Sequence, residues 1–191
     1  MSIAGAIFGQ KTREISNSAD VFSGFVGRSS SGVNVTVDKA LAVTTVFSCL
    51  RVIAEGVSQV PLKLYKTVGE DAHEVAKEHP LYKIISRKPN TWQTSFEFRE
   101  NMIFQAGLLG NFYAFKNKSR GKILSLVPFE PNTVNVEVDQ KRNLQYKVTI
   151  DGEQKTIPAD MMWHVKGPSW STYIGMEAVK YAREAIGLAI N

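Results

Sequence analysis

Hydrophobic positions from Val43 to Val57 recur at the spacing of one helix face: Val43, Val46, Phe47, Leu50, Ile53, Ala54 and Val57. This predicts a long helix over 38–59, with Asp38 as N-cap and Pro61 closing it. Its other face holds Thr44, Thr45, Ser48, Cys49 and Ser58, with Arg51 and Glu55 as its main charges. A helix with so few charges is expected to be buried on two sides. It would span about 30 Å at roughly 1.5 Å per residue. Alternation of Leu62 and Leu64 with Lys63 and Tyr65 then predicts a strand over 61–67, followed by a charged turn region over 69–78.

Further on, Pro80 opens a short helix carrying Leu81, Ile84 and Ile85, which ends before Pro89. Thr94 and Glu97 form a capping-box pair that starts a third helix, with Phe98, Met102, Ala106 and Leu109 on one stripe and Gly110 as its C-cap. From Phe112 the period changes to two. Candidate strands are 112–117, 123–128, 133–138, 144–150, 154–157 and 162–165, separated by turns rich in Gly, Pro, Asp and Asn. Their close spacing predicts an antiparallel meander with one wet face. A last helix begins near Met176, with Val179, Ala182, Ile186 and Ala189 in step. The fold class is therefore α+β: a long buried helix and further helices packed on a mostly antiparallel sheet. Residues 1–37, rich in Ser and Gly, read as a flexible N-terminal arm with a short strand at 33–37; residues 38–191 read as the folded domain.

Composition narrows the function more by exclusion than by assignment. The chain has 191 residues, 43% hydrophobic and 21% charged, enough for one domain with a real core. No apolar run approaches the roughly 20 residues that span a bilayer, and the N-terminus does not resemble a signal peptide, so no membrane partner is expected. The single cysteine, Cys49, excludes an internal disulfide and is expected as a small buried hydrophobe. His73 and His79 lack the four-residue spacing of a zinc-protease helix. His164 has Asp160 and Ser169 nearby in sequence, but 167–171 is not a nucleophile elbow; a structural hydrogen-bonding role is expected. With no Walker or Rossmann glycine pattern, no catalytic, metal or cofactor residue is assigned. A net charge of +5 permits an anionic partner. Lys116, Lys118, Arg120 and Lys122 would share one side of a hairpin as candidate contacts to DNA or phosphate. If all four met phosphate, log affinity would fall with log salt at a slope of roughly −3.6.

Several segments, in order, resemble the portal proteins of long-tailed double-stranded DNA phages. They are Val46, Cys49, Arg51–Glu55 and Val57 with Pro61–Tyr65; His79–Tyr82 with Arg87, Pro89 and Asn90; and Phe96 with Phe98–Glu100, followed by Leu109–Asn111, Tyr113 and Ala114. Leu126, Pro128 and Pro131, then Ile157, Pro158, Asp160, His164 and Lys166, then Gly175 and Ala182–Ala189, continue the likeness; Glu177 and Ala178 depart from the family's usual Ser and Pro. The resemblance implies a structural, non-enzymatic subunit of a self-assembled ring of about a dozen copies. It implies a place at the capsid vertex of the virion after assembly in the host cytoplasm. Implied partners are the terminase packaging ATPase, capsid and head-completion proteins, and double-stranded DNA passing through. This chain would supply much of the wing, truncated before the rest of the stem and the clip. Poorly charged helix faces would then meet neighbouring subunits, with Thr45, Ser48, Arg51, Glu55, Val179, Arg183 and Ile186 as candidate interface residues. The rival expectation is a basic nucleic-acid-binding module that forms no ring.

Overall fold

The computed structural model describes residues 27–28, 34–35, 44–139, 143–150, 152–182 and 185. Helix α1 (Thr44–Gln59) lies against α3 (Ser95–Leu109), and the short α2 (Pro80–Ser86) packs on the strand β6 (Lys122–Pro128). Two short ribbons precede the body: β1 (Gly27–Arg28) with β2 (Asn34–Val35), and β3 (Tyr65–Val68) with β4 (Ala72–Val75). The remaining strands are β5 (Asn111–Ser119), β7 (Val134–Val138), β8 (Leu144–Ile150), β9 (Glu153–Pro158) and β10 (Met162–Lys166). A 3-10 turn over Ala159–Met161 precedes β10, and a short α4 (Ala178–Tyr181) comes last. The chain is α+β, as its pattern predicts, and all six strands expected after Gly110 are present.

They do not form one meander. Two three-stranded antiparallel sheets result, ordered β10-β5-β6 and β7-β8-β9. The break follows β6, where Pro131 and the left-handed Asn132 (φ 63°) redirect the chain, and the 3-10 turn after β9 swings β10 back onto β5. Consequently β5 has no wet face along its first half. Phe112 and Ala114 point to the helices with Ile84, Phe98, Ala106 and Leu126, whereas Phe115 points to the second sheet with Phe129, Tyr146, Val148, Ile157 and Met162. Phe112, Ala114 and Phe115 are all fully buried. The molecule is thus layered helices, sheet, sheet, and the wet face belongs to the second sheet, where Asn135 and Thr149 are exposed.

The predicted caps form. Thr94 accepts from the Glu97 amide, and the Glu97 carboxylate accepts from the Thr94 amide at 2.7 Å; Gly110 closes α3 at φ 77°. His79 caps α2 through its ring Nδ1, which accepts from the Leu81 amide at 3.2 Å. Asn90 accepts from the Trp92 and Gln93 amides and donates to the Leu126 carbonyl, pinning the α2–α3 link to β6.

Three expectations need correction. Burial of α1 on two sides does not occur: Ala54 and Ser58 are buried and Leu50 is half-buried against Gly107, but Val52, Ile53 and Val57 are exposed, α3 being the main element that backs the helix among the described residues. Cys49 is likewise exposed, being on the flank turned away from α3. The charged stretch 69–78, expected as turn, contains β4, whose Ala-His-Glu-Val run is too polar to read as a half-buried strand and is in fact exposed except at Val75. The predicted start at Asp38, most of the N-terminal arm, and the last helix beyond Ala182 apart from Ala185 lie outside the described residues; Asn34–Val35 is the described part of the strand expected at 33–37.

Candidate functional site

The candidate site is a surface rather than a pocket with converging acids and bases. On α1, Leu50, Ala54 and Ser58 form the edge facing α3, with Phe47 touching Phe104 at a ring separation of 6.2 Å. Val46, Cys49, Ile53, Val57 and Val60 follow the i, i+3, i+4 rule along the adjoining flank. That flank stays uncovered, with Ile53 56% and Val60 62% exposed, and Val52 beyond it 70% exposed. Monomeric proteins scatter single exposed apolar residues, but a contiguous strip of this kind marks a contact surface.

At the N-terminal end of the same flank opens an apolar groove of about 500 Å³ between Val46, Cys49 and Leu50 of α1, Gly107 and Leu108 of α3, and Ala178, Val179 and Ala182. Among the described residues no charged side chain lines it. Of the interface residues expected from sequence, Thr45 and Val179 both line this groove. Ser48, Arg51 and Glu55 lie on the opposite edge of α1, where Arg51 Nε donates to Glu55 Oε1 at 2.6 Å and Glu55 holds the guanidinium above its ordinary pKa. That pair is exposed and adds little to stability. Arg183 and Ile186 lie outside the described side chains. The apolar strip beside the expected set was signalled by the same period that predicted the helix; the sequence could not say which part of the stripe α3 would cover.

The C-terminal end of α1 is fastened by Arg99. Its Nη2 donates to the Ser58 carbonyl at 2.6 Å and Nη1 donates to the Ser95 hydroxyl, while Nε has no partner. Burial pushes its pKa down, and a guanidinium at the carbonyl end of a helix complements the helix dipole.

The four basic residues do gather on the β5–β6 hairpin, but unequally. Lys118 Nζ is 3.1 Å from the Asp160 carboxylate and 2.6 Å from its carbonyl. Lys116 is half-buried, and burial followed by the Lys118 charge lowers its pKa. Only Arg120 and Lys122 are exposed, at a two-residue turn where Arg120 (φ 49°) and Gly121 (φ 75°) are both left-handed.

His164 lies between Tyr113, Tyr146 and Asn111. Asn111 Oδ1 already accepts from the Gly175 amide at 2.7 Å, so His164 Nε2, 3.0 Å away, is the donor to it, and Nδ1 accepts from the Tyr146 hydroxyl at 3.3 Å. Burial, with a smaller push from Lys166, lowers the imidazole pKa to about 4. The ring is a neutral fastener, as the sequence reading expects. Asn111 passes the connection to the 167–177 loop. There Gly110, Gly167 and Gly175 bring backbone against backbone: a Cβ at Gly175 would lie 1.8 Å from the Gly110 carbonyl oxygen.

The body is α+β, with helices on one face of stacked small sheets and an exposed apolar flank on its first helix. Residues 44–191 match the phage portal protein family, and the chain belongs to it. It is 27% identical over 169 residues to the portal protein of Enterobacteria phage HK97, covering 87% of this chain and 39% of that protein. It is 39% identical over 103 residues to protein BeeE of Escherichia coli strain K12, covering 54% of this chain and 65% of that one. The fold is shared with a chain in the neck of an empty gene transfer agent particle with C6 symmetry, at a TM-score of 0.67 and 19% identity, covering 92% of this chain and 49% of that chain. This chain therefore spans between about two fifths and two thirds of its relatives' own lengths.

Proposed function

We propose that this chain is the wing part of a structural subunit of the portal ring at one vertex of a phage capsid. The ring, of about a dozen copies, serves as conduit for genome packaging and ejection and as docking platform for the terminase and for capsid and head-completion proteins. It is assembled in the host cytoplasm and retained in the virion. Its role is passive. Family membership supports the reading, and so does the match to a chain of a symmetric particle neck. The single observation that carries it is the apolar α1 flank, exposed at Ile53, Val57 and Val60. Burying roughly 25 cal/mol per Å² of such surface favours association once a partner supplies the other side.

Replacing Ile53 by Arg in the intact protein tests this. The substitution changes a side chain that touches little of its own subunit, so melting should hold while ring formation, read by light scattering or native mass spectrometry, is lost. Unchanged assembly would sink the assignment of this flank. Thr45→Arg extends the test to the groove.

A second reading, a nucleic-acid-binding module, is favoured by exposed Arg120 and Lys122. Titration with duplex DNA at two salt concentrations should then give a slope of roughly −1.8 for two phosphate contacts.

A further inference from the structure

The ribbon β3–β4 stands apart from the body. Its residues from Tyr65 to Glu74 are exposed, both of its edges are unpaired among the described residues, and the Ala76 amide donates to the Leu64 carbonyl to extend its pairing one step at the base. An isolated two-stranded ribbon is marginal in water, and exposed Tyr65 and Val68 add apolar area to it. Lys66 and Glu74 neutralise each other across the strands at 3.2 Å, which leaves Glu70 and Asp71 at the turn without an ion-pair partner among the described residues. The β5–β6 ribbon ends with the opposite sign. Lys118 is neutralised by Asp160, so Arg120 and Lys122 are its tip charges without an ion-pair partner among the described residues. Beside them Leu124, extruded by the bulge at Asn117/Lys118, is 57% exposed.

One chain thus carries two projecting ribbons with tips of opposite charge, neither with an ion-pair partner among the described residues. We propose that the acidic tip of β3–β4 in one copy docks on the basic tip of β5–β6 in the next, with Tyr65 or Val68 against Leu124 as apolar support. The contact is heterologous: two unlike patches, each repeated in every copy, so that successive copies propagate in one direction and close into a ring. It rests on the ring reading above and names the pair of surfaces that orients neighbours. Opposed charges of this kind set register and suppress wrong pairings more than they add raw affinity. They also assign the exposed cations to protein rather than to nucleic acid.

The test is a charge exchange in the intact protein. The acid-reversed variant carries Glu70→Lys and Asp71→Lys. The base-reversed variant carries Arg120→Asp and Lys122→Glu, with Asp chosen because it tolerates the left-handed backbone. Each should weaken assembly by about tenfold or more at low salt, seen by sedimentation velocity, with circular dichroism unchanged. The fourfold exchange should restore assembly. In a Cys49→Ser background, Glu70→Cys with Lys122→Cys should give disulfide-linked multimers. Rings that form equally well in both reversed variants overturn the ribbon contact and leave the ring reading standing. A wild-type protein that never self-associates overturns both. A base-reversed variant that loses only duplex DNA binding, with assembly intact, assigns the tip to nucleic acid and also overturns the proposal.

Discussion

The two helices that lie side by side are built on opposite terms. Helix α3 buries Phe98, Ala106, Leu108 and Leu109, starts in a complete capping box and ends on a left-handed glycine. Helix α1 has a more regular apolar stripe, yet among its described side chains it fully buries Ala54 and Ser58 alone and leaves Val52, Ile53 and Val57 exposed. Periodicity therefore identifies a helix and an apolar face, but the identity of the cover depends on what else is present. Where α3 is covered within the subunit, α1 keeps an apolar flank exposed.

Substitutions can break that contrast or sharpen it. The largest effect should come from Gly175→Ala, because its new Cβ meets the Gly110 carbonyl, backbone that cannot rotate away. A loss on the order of 4 kcal/mol or failure to fold is expected, read by urea unfolding. Phe115→Ala, in the fully buried core between sheets, should cost about 3–5 kcal/mol in the same assay. Next comes His164. Its folded-state pKa near 4 is below the unfolded value of 6.5, so the unfolded chain binds the proton first. Stability should be level above pH 6.5 and decline as pH falls from there to about 4, by roughly 2 kcal/mol, and His164→Gln should flatten that segment of the stability–pH curve. Thr94→Ala removes the α3 cap and should cost about 1 kcal/mol. Smallest of all, Val52→Ser should change subunit stability by no more than about 0.5 kcal/mol, since the side chain is 70% exposed. A large loss on Val52→Ser would show that α1 is covered within the subunit and dissolve the contrast.

Most local structure was legible because it rests on neighbours in sequence: the Thr94–Glu97 box, Pro80 at a helix start, and the six strands with their turns. Sheet partners were not. The choice of β10 over β6's successors as partner for β5 depends on a turn at 159–161 and a left-handed Asn132, neither of which alternation records. Polarity concealed β4, since an exposed ribbon has no apolar face to read. Among the site residues, the basic cluster was legible as a cluster, but the loss of Lys118 to Asp160 is a contact across 42 positions. On α1 the interface set was Thr45, Ser48, Arg51 and Glu55, whereas the surface left exposed is the apolar flank of Ile53, Val57 and Val60. The family likeness at Pro89, Asn90 and Arg99 has a physical basis that only the fold reveals: the first two anchor a loop to β6, and the third ties α1 to α3.

Strand β5 separates two apolar clusters, with Phe112 and Ala114 facing one and Phe115 the other. A single inserted residue between Phe112 and Phe115 would turn part of the strand inside out, presenting each layer with side chains shaped for the other. The segment from Asn111 to Phe115 is consequently a ruler of fixed length, intolerant of insertion or deletion.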